Sequence, residues 1–355
     1  MDEFLGRNRN AKRKRDDVVP NGKASDFDLS VLEAIEKSQT PPEALDARTL
    51  KKLVLAFERR LKDNIAFRLN HDNTDIAIDV VQLLQDLTDE DVLDENDEPA
   101  RVLVDALVEN NVLELLVQNL LRLSDSDPDE MAAVYSSLAT IENLIEVKPA
   151  VAELVCEKTK LLKWLMSKIK VKEFDGNKQY ASEILAILLQ NSLANQKRLG
   201  QMNGVDVLLQ AVAMYKSKDP KSPDEAEMLE NLFNCLCGLL MPLENREKFL
   251  KAEGVELMII IMKQKKSAYG SAIRALDFAM TNYPPACERF IDVLGLKTAF
   301  AAFMGKVPIN KNEKKERYQE ELEERIVSLI ASLFGGILKG SRREEIVEQV
   351  CGKRV

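Results

Sequence analysis

The chain has 355 residues, 45% hydrophobic and 31% charged, with 14 glycines, 12 prolines and 5% aromatics. So little glycine and proline excludes a collagen-like chain and fits an all-β fold poorly, and the apolar share excludes wholesale disorder. Fifty basic against 59 acidic residues leave a net charge of −9, which argues against a dedicated nucleic-acid binder.

Residues 1–44 read as a disordered basic tail, with one short helix expected within Ser25–Thr40 before Pro41-Pro42 breaks the chain. Within it, Lys12, Arg13, Lys14 and Arg15 form a compact run. An extended chain can present such charges one by one to an import receptor, although a solvated charge cluster is the plainer alternative. Residues 1–15 hold six bases and two acids, a net +4, so the remaining chain carries −13.

Helical spacing of apolar residues runs from Leu45 to about Leu338. Asp89–Glu98 carries seven acids in ten residues. It reads either as a solvated link or as part of a surface that attracts basic peptides. Further on, Asn195–Leu209 (NQKRLGQMNGVDVLL) aligns without a gap on Asn245–Ile259 (NREKFLKAEGVELMI) at an offset of 50 residues. Cys287–Phe303 supplies a third copy. The anchors Val112, Leu161, Val205, Val255 and Leu296 lie 49, 44, 50 and 41 residues apart. Armadillo and HEAT units repeat every 40–47 residues or so.

Between the anchors lie the apolar segments Val80–Leu87, Leu138–Ile145, Ile184–Leu189, Leu232–Leu240, Ala272–Met280 and Ile326–Phe334. Asp127-Pro128 and Ser222-Pro223, each followed by two acids, predict helix starts. Each unit is expected to be a buried middle helix, a short polar link with a basic residue, then a glycine corner and a second long helix. Gly335-Gly336 is expected to end a helix. The predicted fold is all-α: an armadillo/HEAT-like right-handed α-solenoid of five or six units over residues 45–340. Residues 341–355 are expected to form a polar tail or a short helix.

Catalytic and metal chemistry have little to work with. His71 is the only histidine and fits a helix-start region better than a triad. The five cysteines (Cys156, Cys235, Cys237, Cys287, Cys351) form no CxxC pair, so reduced thiols are expected and no metal or cofactor. Nucleotide-binding glycine loops are absent, and Val327–Leu338 is too short an apolar run to span a bilayer. Trp164, the single tryptophan, reads as a packing residue: the repeated Trp and Asn array with which armadillo import carriers clamp basic peptides is missing.

Several long strings then carry a family resemblance. His71–Asp89 (HDNTDIAIDVVQLLQDLTD), Val102–Leu123 (VLVDALVENNVLELLVQNLLRL), Asn177–Gln190, Asn203–Gln210, Glu227–Leu240, Asn245–Gly254 and Phe290–Met304 resemble the beta-catenin-like protein 1 family. The likeness covers most of residues 71–335. Two departures accompany it: the chain is shorter than the family pattern between about residues 60 and 70, and the family continues after the segment like Ile326–Phe334. The resemblance implies a nuclear, non-enzymatic, armadillo-like protein associated with the spliceosome through the Prp-nineteen complex. It also implies binding of basic nuclear-localisation segments, including that of the Cdc-five-like splicing factor, and marks Lys12–Arg15 as the chain's own localisation signal.

The sequence reading therefore expects a nuclear splicing scaffold, with an import or trafficking adaptor for basic cargo as the alternative. Candidate peptide-binding residues recur near the same part of successive units: Glu142, Asn143 and Glu146, then Glu183 and Asn191, then Glu230 and Asn234. Neither direct nucleic-acid binding nor membrane binding is expected, and self-association is left open.

Overall fold

A computed structural model describes residues 97–124, 127–304 and 315–352, with the single positions Leu55, Arg59, Val81, Gln82, Leu84, Gln85 and Thr88. All of them belong to one compact unit, Leu45–Val355. The basic tail with Lys12–Arg15, His71 and the stretch from Arg60 to Asn70 lie outside the described residues.

The described residues form sixteen helices and no strand. In chain order they are α1 (Asp97–Glu109), α2 (Val112–Leu120), α3 (Pro128–Val147), α4 (Val151–Lys158), α5 (Leu161–Lys170), α6 (Gly176–Leu189), α7 (Leu193–Gln201) and α8 (Gly204–Ala213). There follow α9 (Pro223–Leu239), α10 (Leu243–Lys251), α11 (Gly254–Gln264), α12 (Tyr269–Met280), α13 (Pro284–Asp292), α14 (Leu296–Phe303), α15 (Lys315–Gly336) and α16 (Arg342–Gly352). They group into triplets, two shorter helices and then a longer one. Long helices pack in sequence, α3 on α6, α6 on α9, α9 on α12 and α12 on α15. The short helices stack likewise, α4 on α7, α7 on α10 and α10 on α13. This is an armadillo-type α-solenoid.

The predicted helix starts are present. Asp127 accepts hydrogen bonds from the Asp129 and Glu130 amides at 2.9 and 3.2 Å, and Ser222 accepts from Glu225 at 3.1 Å, each with proline in the first turn. All five repeat anchors open the second helix of a triplet, and each is buried. The pair Gly335-Gly336 closes α15. Of the two forms expected for residues 341–355, the helix is observed: α16 buries Val347 and holds Asp292 of α13 through Arg343 at 2.8 and 2.9 Å. The acidic stretch Asp89–Glu98 is not wholly a link, because Asp97 and Glu98 begin α1.

The internal plan of a unit needs correcting. The expected polar link is itself a helix, α7, α10 or α13, and the helix after the glycine is short. Helices α7 and α10 have few apolar positions, so their periodicity is faint, whereas α13 buries Ala286, Cys287, Phe290 and Ile291 at helical spacing. The glycine corner also works differently. The left-handed residue is the one before the glycine: Asn203 (φ 60°), Glu253 (φ 57°) and Leu294 (φ 61°). The glycine is there for close packing. A Cβ on Gly254 would sit 2.4 Å from the Phe249 ring, one on Gly204 would sit 2.6 Å from Leu199, and one on Gly295 would sit 2.6 Å from Phe290. In each case the crowding side chain lies five residues earlier and is fully buried.

The repeated asparagine is equally structural. The Asn195 amide donates to the Ala152 and Leu188 carbonyls, both at 2.9 Å. That of Asn245 donates to Gln196 at 3.0 Å and Leu239 at 2.8 Å. The repeated basic residue joins neighbouring units as well: Arg198 pairs with Glu157 at 3.3 Å, Lys248 donates to the Gly200 carbonyl at 2.7 Å and Arg289 to Glu256 at 2.7 Å.

Candidate functional site

Stacking the long helices brings polar side chains from distant parts of the chain into one continuous row. Between α3 and α6, the Tyr180 hydroxyl donates to the Glu142 carboxylate, and the Tyr135 and Tyr180 rings lie 4.8 Å apart. Between α6 and α9, Gln179 donates to Glu227 at 3.1 Å. Between α9 and α12, Arg274 and Ser271 donate to Glu230 at 2.7 and 2.9 Å. Between α12 and α15, Arg325 and Ser328 donate to Asp277 at 3.1 and 2.6 Å.

The charge on this row is uneven. Glu142, Glu146, Glu183, Glu227 and Glu230 line the α3–α9 part. The cations of the row, Arg274 and Arg325, are each engaged by a carboxylate. Lys178 of α6 is 4% exposed and turned away, donating to the Val171 and Glu173 carbonyls. The α3–α9 part is therefore an anionic face in which the exposed Tyr135 ring is tilted against buried Tyr180, suited to cationic side chains by charge and by the one accessible ring.

Six of the seven sequence-predicted residues fall on these long helices. Glu142 is half-buried against Tyr180. Asn143 donates to Thr88 at 3.1 Å and so joins α3 to the preceding segment. Glu146 and Glu230 are exposed, while Glu183 and Asn234 are half-buried. Asn191 is the exception. It lies past the end of α6 with φ 56°, in the left-handed region that asparagine tolerates, and shapes the corner into α7. Tyr135, Tyr180, Asp277 and Arg325 were not anticipated. Tyr180 precedes Glu183 by three residues, a helical same-face spacing that could have pointed to it.

Burial raises the Glu142 carboxyl above the ordinary range, the Tyr180 hydrogen bond opposes this, and nearby Glu146 adds to it. A carboxyl raised on folding stabilises the protein below its unfolded value and loses that contribution as pH rises through its folded value. Glu142→Gln should therefore melt higher than the parent above neutral pH, with the difference closing in acid. Thermal melts across pH would show this, and equal melting at every pH would refute it.

Trp164 is 6% exposed on α5, off the long-helix row, with the Lys168 ammonium 5.0 Å from its ring centre. It packs, as expected. Cys156, Cys235, Cys237 and Cys287 are buried free thiols. Desolvation pushes Cys156 up to about 12 and Cys287 up to about 11, far from a reactive thiolate. Among the described residues, no group of three His, Cys, Asp or Glu is placed to hold a metal ion, and no helix is long and apolar enough to cross a membrane.

The stacked triplets find their counterpart in a known family: residues 65–354 match the one described as catenin-beta-like, Arm-motif containing nuclear. The chain belongs to that family. Its likeness to human Beta-catenin-like protein 1 is 45% identity over 284 residues, 79% of this chain and 50% of the human protein. The chain spans about half the length of the curated relatives it matches. In fold it is similar to a chain solved in work on a phosphorylation switch controlling the interaction between cadherin and beta-catenin. That likeness has a TM-score of 0.56 at 12% identity and covers 91% of this chain and 51% of the other. It is also similar to a designed armadillo repeat protein solved in complex with the peptide (KR)4, with a TM-score of 0.50 at 12% identity over 79% of this chain and 99% of that one.

Proposed function

We propose that this member of a nuclear Arm-motif family is a scaffold of the pre-mRNA splicing machinery, associated with the Prp-nineteen complex, that binds basic nuclear-localisation-type segments of partner proteins. The observation that carries the reading is the anionic face of Glu142, Glu146, Glu183, Glu227 and Glu230 across three stacked long helices. A designed protein of this fold was solved with a Lys-Arg peptide, which supports the same chemistry here. An extended basic segment would be steered by the field of the face and then lie across the row. In this reading Lys12–Arg15 serves as the chain's own import signal.

Glu146 and Glu183 test the face without removing either partner of the Glu142–Tyr180 bond. Glu146→Lys with Glu183→Lys should weaken binding of a Cdc-five-like basic segment about tenfold or more at low salt, since each exposed pair contributes up to about 1 kcal/mol and is inverted. Fluorescence anisotropy on variants that melt like the parent reads this out. Unchanged affinity would reject the face. Pull-down from nuclear extract tests the splicing assignment, and recovery of import factors without splicing subunits would overturn it.

A further inference from the structure

Three second-to-third helix links, α5–α6, α8–α9 and α11–α12, lie along one edge of the stack with a charge opposite to that of the long-helix face, whereas the α2–α3 link, with Arg122 against Asp127, is not basic. Lys168, Lys170 and Lys172 stand at the α5–α6 link, Lys216, Lys218 and Lys221 at the α8–α9 link, and Lys263, Lys265 and Lys266 at the α11–α12 link. Lys168 is half-buried over Trp164 and the other eight are exposed. At the same links and the helix turns beside them the acids are Glu173, Asp175, Asp219, Asp224 and Glu225, five against nine lysines.

These links form a joined surface. Asp219 accepts from the Lys266 ammonium at 3.1 Å and from the Ser267 amide at 2.9 Å, which fixes the second link against the third. The helices that the first and second links lead into, α6 and α9, pack directly on each other. Most acids at this edge are already engaged. Asp175 caps α6 with a 2.7 Å bond to the Lys178 amide, and Glu225 accepts from the Tyr215 hydroxyl at 2.7 Å and the Lys221 amide at 2.6 Å. The N-termini of α6, α9 and α12 come to the same edge and add their positive dipole ends.

We propose that this lysine edge is a docking surface for the phosphodiester chain of a single-stranded nucleic acid. Packed helices lie about 8–10 Å apart, so three links spread the cations over about 20 Å, a strand of several nucleotides and not one phosphate. All nine cations are lysines. Lysines bind phosphate as point charges on flexible stems, whereas planar arginine forks hold carboxylates, phosphates and bases bidentately in one fixed geometry. That favours a backbone held without regard to sequence over a defined acidic peptide. Phe174, 37% exposed at the first link, offers one ring face for a base. The net charge of −9 does not prevent this. Glu183 and Glu230 each sit seven residues into their helices, about 10 Å along the axis, beyond the screening length of about 8 Å at physiological salt, and Glu227, about 6 Å into α9, is the one face acid of these two helices within it.

The test uses the full chain and a fluorescein-labelled single-stranded RNA of about 20 nucleotides, followed by anisotropy between about 50 and 200 mM salt. Affinity should fall steeply with salt, and single-stranded DNA of the same sequence should bind within about threefold, because phosphates are read. Combining Lys172→Gln, Lys216→Gln, Lys218→Gln, Lys263→Gln and Lys265→Gln should weaken binding about tenfold or more and flatten the salt slope by about 0.7 for each phosphate no longer neutralised. Lys160→Gln with Lys251→Gln, at the opposite corners of the units, should change neither. No binding at the lowest salt, or binding insensitive to the five-site variant, would overturn the proposal. So would a poly-glutamate peptide that binds as tightly as RNA, which would assign the edge to an acidic protein segment.

Discussion

Phe249→Ala should lower the stability of the folded chain by about 3–5 kcal/mol, the usual cost of emptying a buried aromatic site. The ring is fully buried on α10 and lies where a side chain on Gly254 would begin. It does two things at once: it fills the core between units, and it sets how closely α11 can fold back on α10. Gly254→Ala attacks the same packing from the other side. Its new methyl would stand 2.4 Å from ring carbon, and overpacking of this kind costs about 1–3 kcal/mol. The two losses should not add, because the alanine methyl occupies part of the space the ring vacates. Urea unfolding of the two single variants and the double variant measures this coupling. Additive losses would mean that ring and glycine act independently. Long repeat arrays can unfold in stages. Hydrogen exchange across α10 and α11 should therefore show the loss concentrated there.

The same corner shows what could be read from the sequence and what could not. The offset of 50 residues between Asn195–Leu209 and Asn245–Ile259 located the units, and each anchor opens a helix. Those features come from local chemistry that a linear pattern records: a cap, a proline, a buried aliphatic at fixed spacing. The link helices escaped because α10 buries Asn245 and Phe249 and little else, too sparse a pattern for an apolar period. The role of the glycines was misread for a related reason. Sequence shows that a glycine stands at a corner, but not whether φ or a neighbouring ring requires it.

The candidate face was partly legible. Carboxylates on the long helices were found by their recurrence, since helices that stack in register carry equivalent residues to one surface. Their partners were not, because Tyr180 reaches Glu142 from 38 residues away and Arg325 reaches Asp277 from 48. Asn191 looked equivalent to the others in linear spacing, yet helix α6 ends two residues before it. The lysine edge was hidden by addition. A net charge sums over the whole surface, whereas binding depends on charge within a screening length, and three links of this chain gather nine lysines away from the midpoints of the long helices.

The largest effect outside the aromatic corner is expected at Asn245, which is 2% exposed. Both hydrogens of its amide are committed, one to Gln196 of the preceding unit and one to Leu239 at the end of α9. Gly200 is kept free of a side chain by the same residue, since a Cβ there would lie 1.8 Å from the Asn245 oxygen. Asn245→Ala removes two buried hydrogen bonds and leaves a carbonyl at the end of a long helix with one partner fewer. Each such bond contributes about 0.5–1.5 kcal/mol, and leaving a buried group unsatisfied costs about 1–3 kcal/mol, so a loss of about 2–4 kcal/mol is expected. Asn245→Asp is the sharper probe. At neutral pH it would turn an anion toward two carbonyl oxygens, and it should destabilise more than alanine does. In acid the protonated carboxyl can donate once, so the two variants should converge as pH falls. Denaturant unfolding at neutral and acid pH separates these cases. If alanine and aspartate behave alike at both, and neither costs about 1 kcal/mol, the low end for such bonds, then the asparagine repeated at 195 and 245 does not hold the units together, and its recurrence must be assigned to some other task.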